Sequence, residues 1–69
     1  MIPKIVWVEQ VDEYKLQVVL NEGEYTEPVY FAQALQYSVE GAGWYEVWGT
    51  QFVATEEEAR EAIRKAWNV

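Results

Sequence analysis

The residues that follow Ala54 predict an amphipathic α-helix, and this element constrains the fold more than any other part of the sequence. Thr55 stands three residues before Glu58, a capping box in which the two side chains satisfy backbone donors of the first helical turn. Glutamates open the segment and basic residues close it, as the helix dipole favours. Apolar side chains recur at the spacing of one helical face, namely Ala59, Ala62, Ile63, Ala66 and Trp67. The pattern predicts a helix over residues 56–67.

The first part of the chain has the two-residue alternation of β-strands. Residues 5–8 form an apolar, β-favouring run, and residues 14–21 alternate apolar with polar side chains. Residues 12–13 can make the first turn and residues 21–24 the second, where Gly23 can adopt a positive φ. These features predict a β-hairpin at the start of the domain.

The stretch from 29 to 39 fits two interpretations. Its odd-numbered positions suit a strand, whereas Pro28 and the small side chains at 32–35 would suit a short helix with proline in its first turn. We predict a bent strand, with Pro28 near an edge of the sheet. Glycines at 41 and 43 then turn the chain into a further strand at 44–48.

These elements together predict an α+β fold: an antiparallel sheet of four or five strands with one C-terminal amphipathic helix packed on one face. The 69 residues allow one domain, 1–69, because most domains have more than about 50 residues. A core of this size supplies a net stability of about 3–5 kcal/mol.

The composition argues against catalysis and against bound metals or cofactors. The chain has no histidine and no cysteine, so it lacks a base that titrates near neutral pH, a thiolate nucleophile and a disulfide. Ser38 is the single serine and has no neighbouring base, and the glutamates do not have the spacing of a calcium loop. We therefore predict a non-enzymatic protein with no catalytic, cofactor or metal site.

The same sequence gives expectations about location. No apolar run approaches the roughly 20 residues of a membrane helix, and the first residues, MIPK, do not resemble a signal peptide. A secreted domain of this size usually has disulfides, so the absence of cysteine favours a reducing compartment. We expect a cytoplasmic protein without membrane contact, with the interior of a host cell as the alternative location.

Charge gives the strongest indication of function. Twelve acidic residues stand against five basic ones, for a net charge of −7. Between the first strand and residue 46 the only basic residue is Lys15, among the acids Glu9, Asp12, Glu13, Glu22, Glu24, Glu27, Glu40 and Glu46. Such a charge can simply keep the protein soluble. It can also fit a basic groove on a partner protein, with carboxylates replacing the phosphates of a nucleic acid.

Residues 44–67, WYEVWGTQFVATEEEAREAIRKAW, resemble the strand–strand–helix ending of small βββα modules such as integrase-arm DNA-binding domains and HicB-type antitoxins. The resemblance implies a sheet with a terminal helix and leaves an antitoxin-like regulator as one alternative. DNA-binding members need basic strands, and Glu46 occupies the corresponding strand here. Because phosphate affinity depends on basic side chains, we expect no direct binding to nucleic acid.

Eleven aromatic residues suggest that part of the sheet serves as a contact surface. Strict alternation places Trp44 and Trp48 on one face, with Tyr45 and Val47 on the other. The simpler alternative is that Phe52, Trp67 and one tryptophan set fill the core while tyrosines cover the other side.

Our first hypothesis is a protein-binding module, an inhibitor that occupies a basic nucleic-acid-binding groove; in bulk properties the chain is similar to phage-encoded inhibitors of host defence. The predicted partner-binding residues are Glu22, Glu24, Glu27, Glu40, Glu46, Trp44, Tyr45 and Trp48. The alternative is a structural or self-assembling module that forms homo-oligomers through its sheet face or edge.

Overall fold

The computed structural model describes residues 3–22, 28–41 and 43–68. It contains a four-stranded sheet in the order β1-β2-β3-β4, with every neighbouring pair antiparallel, followed by one helix. The elements are β1 (Lys4–Val11), β2 (Tyr14–Asn21), β3 (Val29–Ser38), β4 (Gly43–Gly49) and α1 (Glu56–Trp67). The predicted α+β class, with an antiparallel sheet and a C-terminal helix on one face, is confirmed.

The two interpretations of the middle segment are resolved in favour of a strand. β3 pairs with β2 from Val29, opposite Asn21, to Gln36, opposite Tyr14. Its other edge pairs with β4, so its backbone groups find partners on both sides. The predicted first turn is also confirmed, with Asp12 at a φ of 54°, a conformation that aspartate tolerates. The predicted second turn, at 21–24, extends outside the described residues.

The helix packs on β2 and β3, and the core lies between these three elements. Small side chains let the helix approach the sheet closely, since Ala32 and Ala34 of β3 face Ala59 of α1. The fully buried residues of the core are Leu16, Val18, Ala32, Ala34, Ala59 and Ile63. Trp67 closes one end of the core through edge-to-face contacts with Tyr14 and Trp48.

Thr55 caps the start of the helix as the sequence predicts, although the Glu58 carboxylate accepts from the Thr55 hydroxyl where the capping box predicts a backbone donor. The Thr55 hydroxyl accepts a hydrogen bond from the Glu58 backbone N–H at 3.1 Å and donates to the Glu58 carboxylate at 3.4 Å. Asn68 adopts the left-handed conformation, and its N–H donates to the Arg64 carbonyl. The predicted bounds of 56–67 are confirmed.

Replacing Thr55 with alanine is expected to lower the free energy of unfolding by about 1 kcal/mol, because the Glu58 N–H loses its acceptor. Urea denaturation followed by circular dichroism measures the change. Thr55→Ser keeps the hydroxyl and should remain close to wild type. Equal stabilities for the alanine and serine variants would show that the cap contributes nothing.

A β-bulge in β4 reverses the side-chain alternation. Ala34 lies opposite Trp48 and Leu35 lies opposite Glu46, so Val47 is an extra residue with no partner of its own. Consequently Trp44 and Trp48 lie on opposite faces of the sheet, and the predicted placement on one face is wrong. Tyr45 lies on the face opposite Trp44, as predicted, but it pairs with Gln36 on the helix side and so shares its face with Trp48, which the prediction placed on the other face.

The chain stays hydrogen-bonded to β3 after β4 ends. The Thr50 N–H donates to the Ala32 carbonyl at 2.9 Å, and Tyr30 and Val53 exchange backbone hydrogen bonds of 2.9 and 2.8 Å. Between these contacts Phe52 reaches the side of the sheet opposite the helix, where its ring packs edge-to-face on Phe31. The alternative that placed Phe52 in the core is therefore wrong, since 51% of this residue is exposed.

Candidate protein-binding face

The sheet face opposite the helix, called the open face below, is uncovered by any other described element. Its members follow from the strand register, because odd-numbered residues of β2 and β3 point away from the core. Together with their partners on the outer strands they are Ile5, Val8, Gln10, Lys15, Gln17, Val19, Asn21, Val29, Phe31, Gln33, Leu35, Tyr37, Trp44, Glu46 and Gly49. Phe52 adds its ring next to Phe31.

Large apolar side chains on the open face are accessible to solvent. Ile5, Val8, Tyr37, Trp44 and Phe52 are each at least 40% exposed. They include both rings of one edge-to-face pair, Tyr37 with Trp44 at 5.4 Å between ring centroids, and one ring of a second pair near the other end of β3, Phe31 with Phe52 at 5.8 Å. Single exposed apolar residues are ordinary, but a group on one face is typical of an interaction surface.

A line of hydrogen bonds crosses the middle of the open face. Gln17 donates through Nε2 to Oε1 of Gln33, and Gln33 donates through Nε2 to Oε1 of Glu46 at 2.8 Å. Gln17 is only 6% exposed, and its Oε1 has no hydrogen-bond partner among the described residues. The line therefore ends on a buried acceptor that is left unsatisfied.

Two charged side chains occur among the described residues of the open face, Lys15 and Glu46. The Lys15 ammonium lies over the Trp44 ring, 4.5 Å from its centroid. Lys15 pairs with Leu35, which pairs in turn with Glu46, so the two charges belong to one row across the sheet. Two strand spacings separate their Cα atoms, a distance of about 10 Å.

A hollow of about 390 Å³ opens beside Glu46 on this face. It is lined by Phe31, Glu46, Thr50, Gln51 and Phe52. A carboxylate between aromatic rings attracts a cationic side chain, through charge and through the electron-rich ring faces. The hollow is therefore suited to a lysine or arginine side chain.

The structure separates the residues that the sequence predicts as one partner surface. Glu22 follows β2 at one end of the sheet, and Glu40 lies in the β3–β4 turn at the other end, about 30 Å away along the strands. Trp44 and Glu46 lie on the open face. Glu24 and Glu27 lie outside the described residues.

Tyr45 and Trp48 are on the helix side. Tyr45 remains 49% exposed and donates its hydroxyl hydrogen to Gln36 at 3.2 Å. Trp48 packs edge-to-face on Trp67 at 5.4 Å and is therefore part of the margin of the core.

Most residues of the open face were not predicted from the sequence to contact a partner, among them Ile5, Val8, Lys15, Gln17, Phe31, Gln33, Leu35 and Tyr37. One signal was present in the alternation of β2 and β3. Gln17 and Gln33 are polar members of the odd-numbered sets, and their central positions would have pointed to the face that the helix leaves free.

Within residues 3–22, 28–41 and 43–68 no group of three acidic side chains is arranged to hold a metal ion. No helix in those ranges has the length and apolar character required to cross a bilayer. Comparisons with protein-family models, curated proteins and solved structures gave no match.

Proposed function

We propose that this chain is a non-enzymatic protein-binding module and that the open face is its contact surface. The observation that supports this function is the group of half-exposed aliphatic and aromatic side chains on one uncovered sheet face. Tryptophan and tyrosine contribute most to binding energy in protein interfaces, and Trp44 and Tyr37 lie together near one end of this face.

The distribution of charge supports the same proposal. The central part of a protein interface contains fewer charged residues than the rest of the protein surface. The described charged residues of the open face are one base, Lys15, and one acid, Glu46. The remaining described acids lie on the helix, in the turns or on the helix side of β1. In this arrangement the outer carboxylates keep the protein dispersed and orient an approaching partner.

The inhibitor of a basic, nucleic-acid-handling partner is the second candidate. This candidate is favoured because most of the described acidic side chains are not neutralised by a basic neighbour. Among the described residues one acid forms an ion pair, Glu56 with Arg60 at 3.6 Å. Long-range attraction between the acidic protein and a basic groove is screened by salt. This candidate therefore requires binding that weakens steeply as salt rises, whereas an apolar contact on the open face is much less sensitive.

Adjacent substitutions on the two sides of β4 test the contact surface. Trp44→Glu is expected to reduce capture of the partner at least about tenfold, because it places a charge among apolar side chains at the interface. The tagged full chain would be used to capture proteins from a lysate of the source cell, followed by mass identification and a salt-step elution.

Tyr45→Glu is the matched control. It adds the same charge at the neighbouring residue, with a similar exposed fraction of 49% against 40%, but on the helix side. Circular dichroism confirms that both variants fold. Equal capture by the two variants would contradict the open face as the contact surface, and elution at low salt would favour the second candidate.

A further inference from the structure

We infer that the partner on the open face is a second copy of this chain, in a symmetric dimer of two face-to-face sheets. This inference rests on the proposed contact surface and names what occupies it. The twofold axis runs parallel to β3 and passes over Leu35, with the two sheets about 10 Å apart, the usual separation of packed sheets.

The arrangement of charge on the open face is complementary to itself. Lys15 and Glu46 lie one strand to either side of Leu35 in the same row. A twofold axis along β3 exchanges these sides, so each Lys15 is placed opposite Glu46 of the other copy. This rotation therefore places each of the two charged residues described on this face opposite a residue of opposite charge. Neither of them faces a like charge.

The hollow beside Glu46 accommodates the incoming lysine. Its aromatic walls, Phe31 and Phe52, surround the apolar stem of a lysine side chain, while the carboxylate receives the ammonium. In the isolated chain Lys15 covers the Trp44 ring. Its flexible four-carbon stem allows it to turn from this ring to the facing copy. The side chain thus has one position in the monomer and another in the dimer.

The apolar part of the face supplies the attraction, and its size limits the affinity. About this axis β2, β3 and β4 of the two copies overlap, whereas β1 extends beyond the facing sheet. Three strands about 4.8 Å apart and some 20–25 Å long give a flat area of about 290–360 Å² per copy. The accessible area is larger because side chains project, which brings the interface near the lower limit of about 1,000 Å² for specific association. Two copies of charge −7 also repel each other. We therefore expect a dissociation constant in the micromolar range, about 1–100 μM.

Salt dependence separates this dimer from binding to a basic partner. Added salt screens the repulsion between two acidic copies, whereas the enclosed Lys15–Glu46 pairs are screened less. Dimerisation should therefore strengthen modestly from low to moderate salt. Binding to a basic groove would weaken over the same range.

Charge reversal and mixing test the proposed axis by sedimentation at about 1–500 μM. Lys15→Glu alone places carboxylates opposite Glu46, and Glu46→Lys alone places lysines opposite Lys15. Each variant should self-associate at least about tenfold more weakly than wild type. An equimolar mixture should restore association to within about threefold of wild type, because every reversed charge then faces its opposite.

Glu9→Lys is the matched control for Glu46→Lys, with the same change in net charge on the helix side of β1. It reduces the overall repulsion without altering the open face, so its self-association should equal or exceed that of wild type. Thermal unfolding of every variant shows whether it is folded at the temperature used.

The outcomes distinguish this inference from the proposed function. A wild-type chain that stays monomeric throughout the range overturns the dimer. A dimer whose two reversed variants do not associate on mixing overturns the proposed axis. In either case the Trp44→Glu and Tyr45→Glu capture experiment still decides whether the open face binds a different protein.

Discussion

Leu16→Ala is expected to bring the free energy of unfolding of this domain close to zero. Leu16 is fully buried between the sheet and the helix, at the centre of a core that contains only a few side chains of its size. Leucine-to-alanine changes in cores lower stability by about 2–5 kcal/mol, through lost burial and the cavity that remains. A domain this small has only about 3–5 kcal/mol in total.

The neighbours of Leu16 limit any relaxation around the cavity. Ala32 and Ala34 on the adjacent strand and Ala59 on the helix are too short to fill the vacated space. The helix would have to move toward the sheet, which would disturb the packing of its own Ile63 in the core. We therefore expect the full effect of the deletion.

Urea denaturation followed by tryptophan fluorescence and circular dichroism measures the loss. Val47→Ala is the control, because Val47 is the extra residue of the β4 bulge and is 41% exposed. It should change stability by less than about 0.5 kcal/mol. A Leu16→Ala variant that unfolds at the wild-type urea concentration would place the stabilising core elsewhere.

The elements of this fold could be predicted from sequence because each has a local signal. The helix has a capping residue at Thr55 and a stripe of apolar residues, and both depend on contacts within a few positions. β1 has an apolar, β-favouring run, β2 has alternation, and a polar turn at residues 12–13 lies between them. The number of strands was left at four or five, since pairing depends on residues far apart in the chain.

The faces of the sheet could not be predicted because two bulges interrupt the alternation. One occurs between Ile5 and Trp7, and the other is at Val47. One extra residue exchanges the two faces for everything that follows it. The effect is largest at Trp44 and Trp48, which alternation places together and the structure places on opposite faces.

The acidic residues illustrate a different limit of sequence analysis. Glu22 and Glu40 belong to the same acid-rich part of the sequence, yet the antiparallel path of β3 carries them to opposite ends of the sheet. Proximity in sequence therefore did not translate into a common surface. Glu46 alone of the described acids reaches the open face, and there it meets Gln33 instead of another carboxylate.

The small size of the chain explains why one face of the sheet is uncovered and contributes little to the core. One helix covers only one side of a four-stranded sheet, so a chain of 69 residues leaves the other side to solvent. Small domains bury about 60% of the surface that their unfolded chains expose. The exposed side chains of Tyr37 and Trp44 therefore add little core burial in the isolated chain, and their burial against a partner would stabilise the folded state by mass action.

Gln17→Met is expected to raise the free energy of unfolding by about 1–2 kcal/mol. Such a gain would show that the glutamine at this position lowers the stability of the isolated chain and so has a role other than stability. The Glu46 carboxylate can only accept hydrogen bonds, so Gln33 must turn its Nε2 toward it. The Oε1 of Gln33 then faces Gln17 and requires a donor. Gln17 supplies its own Nε2, and its Oε1 is left buried without a partner.

Methionine removes this unsatisfied acceptor and keeps an unbranched side chain of similar length. Gln33 loses one donor, but it is only partly buried and water can replace the lost bond.

The same substitution at Gln10, an exposed residue of the open face on β1, is the control and should leave stability within about 0.5 kcal/mol of wild type. Urea denaturation of the three proteins gives the comparison, and a Gln17→Met variant no more stable than wild type would show that the buried oxygen carries no penalty. A stabilised variant whose self-association is weaker than wild type would instead mean that the polar line serves the contact between copies, at the expense of the isolated chain.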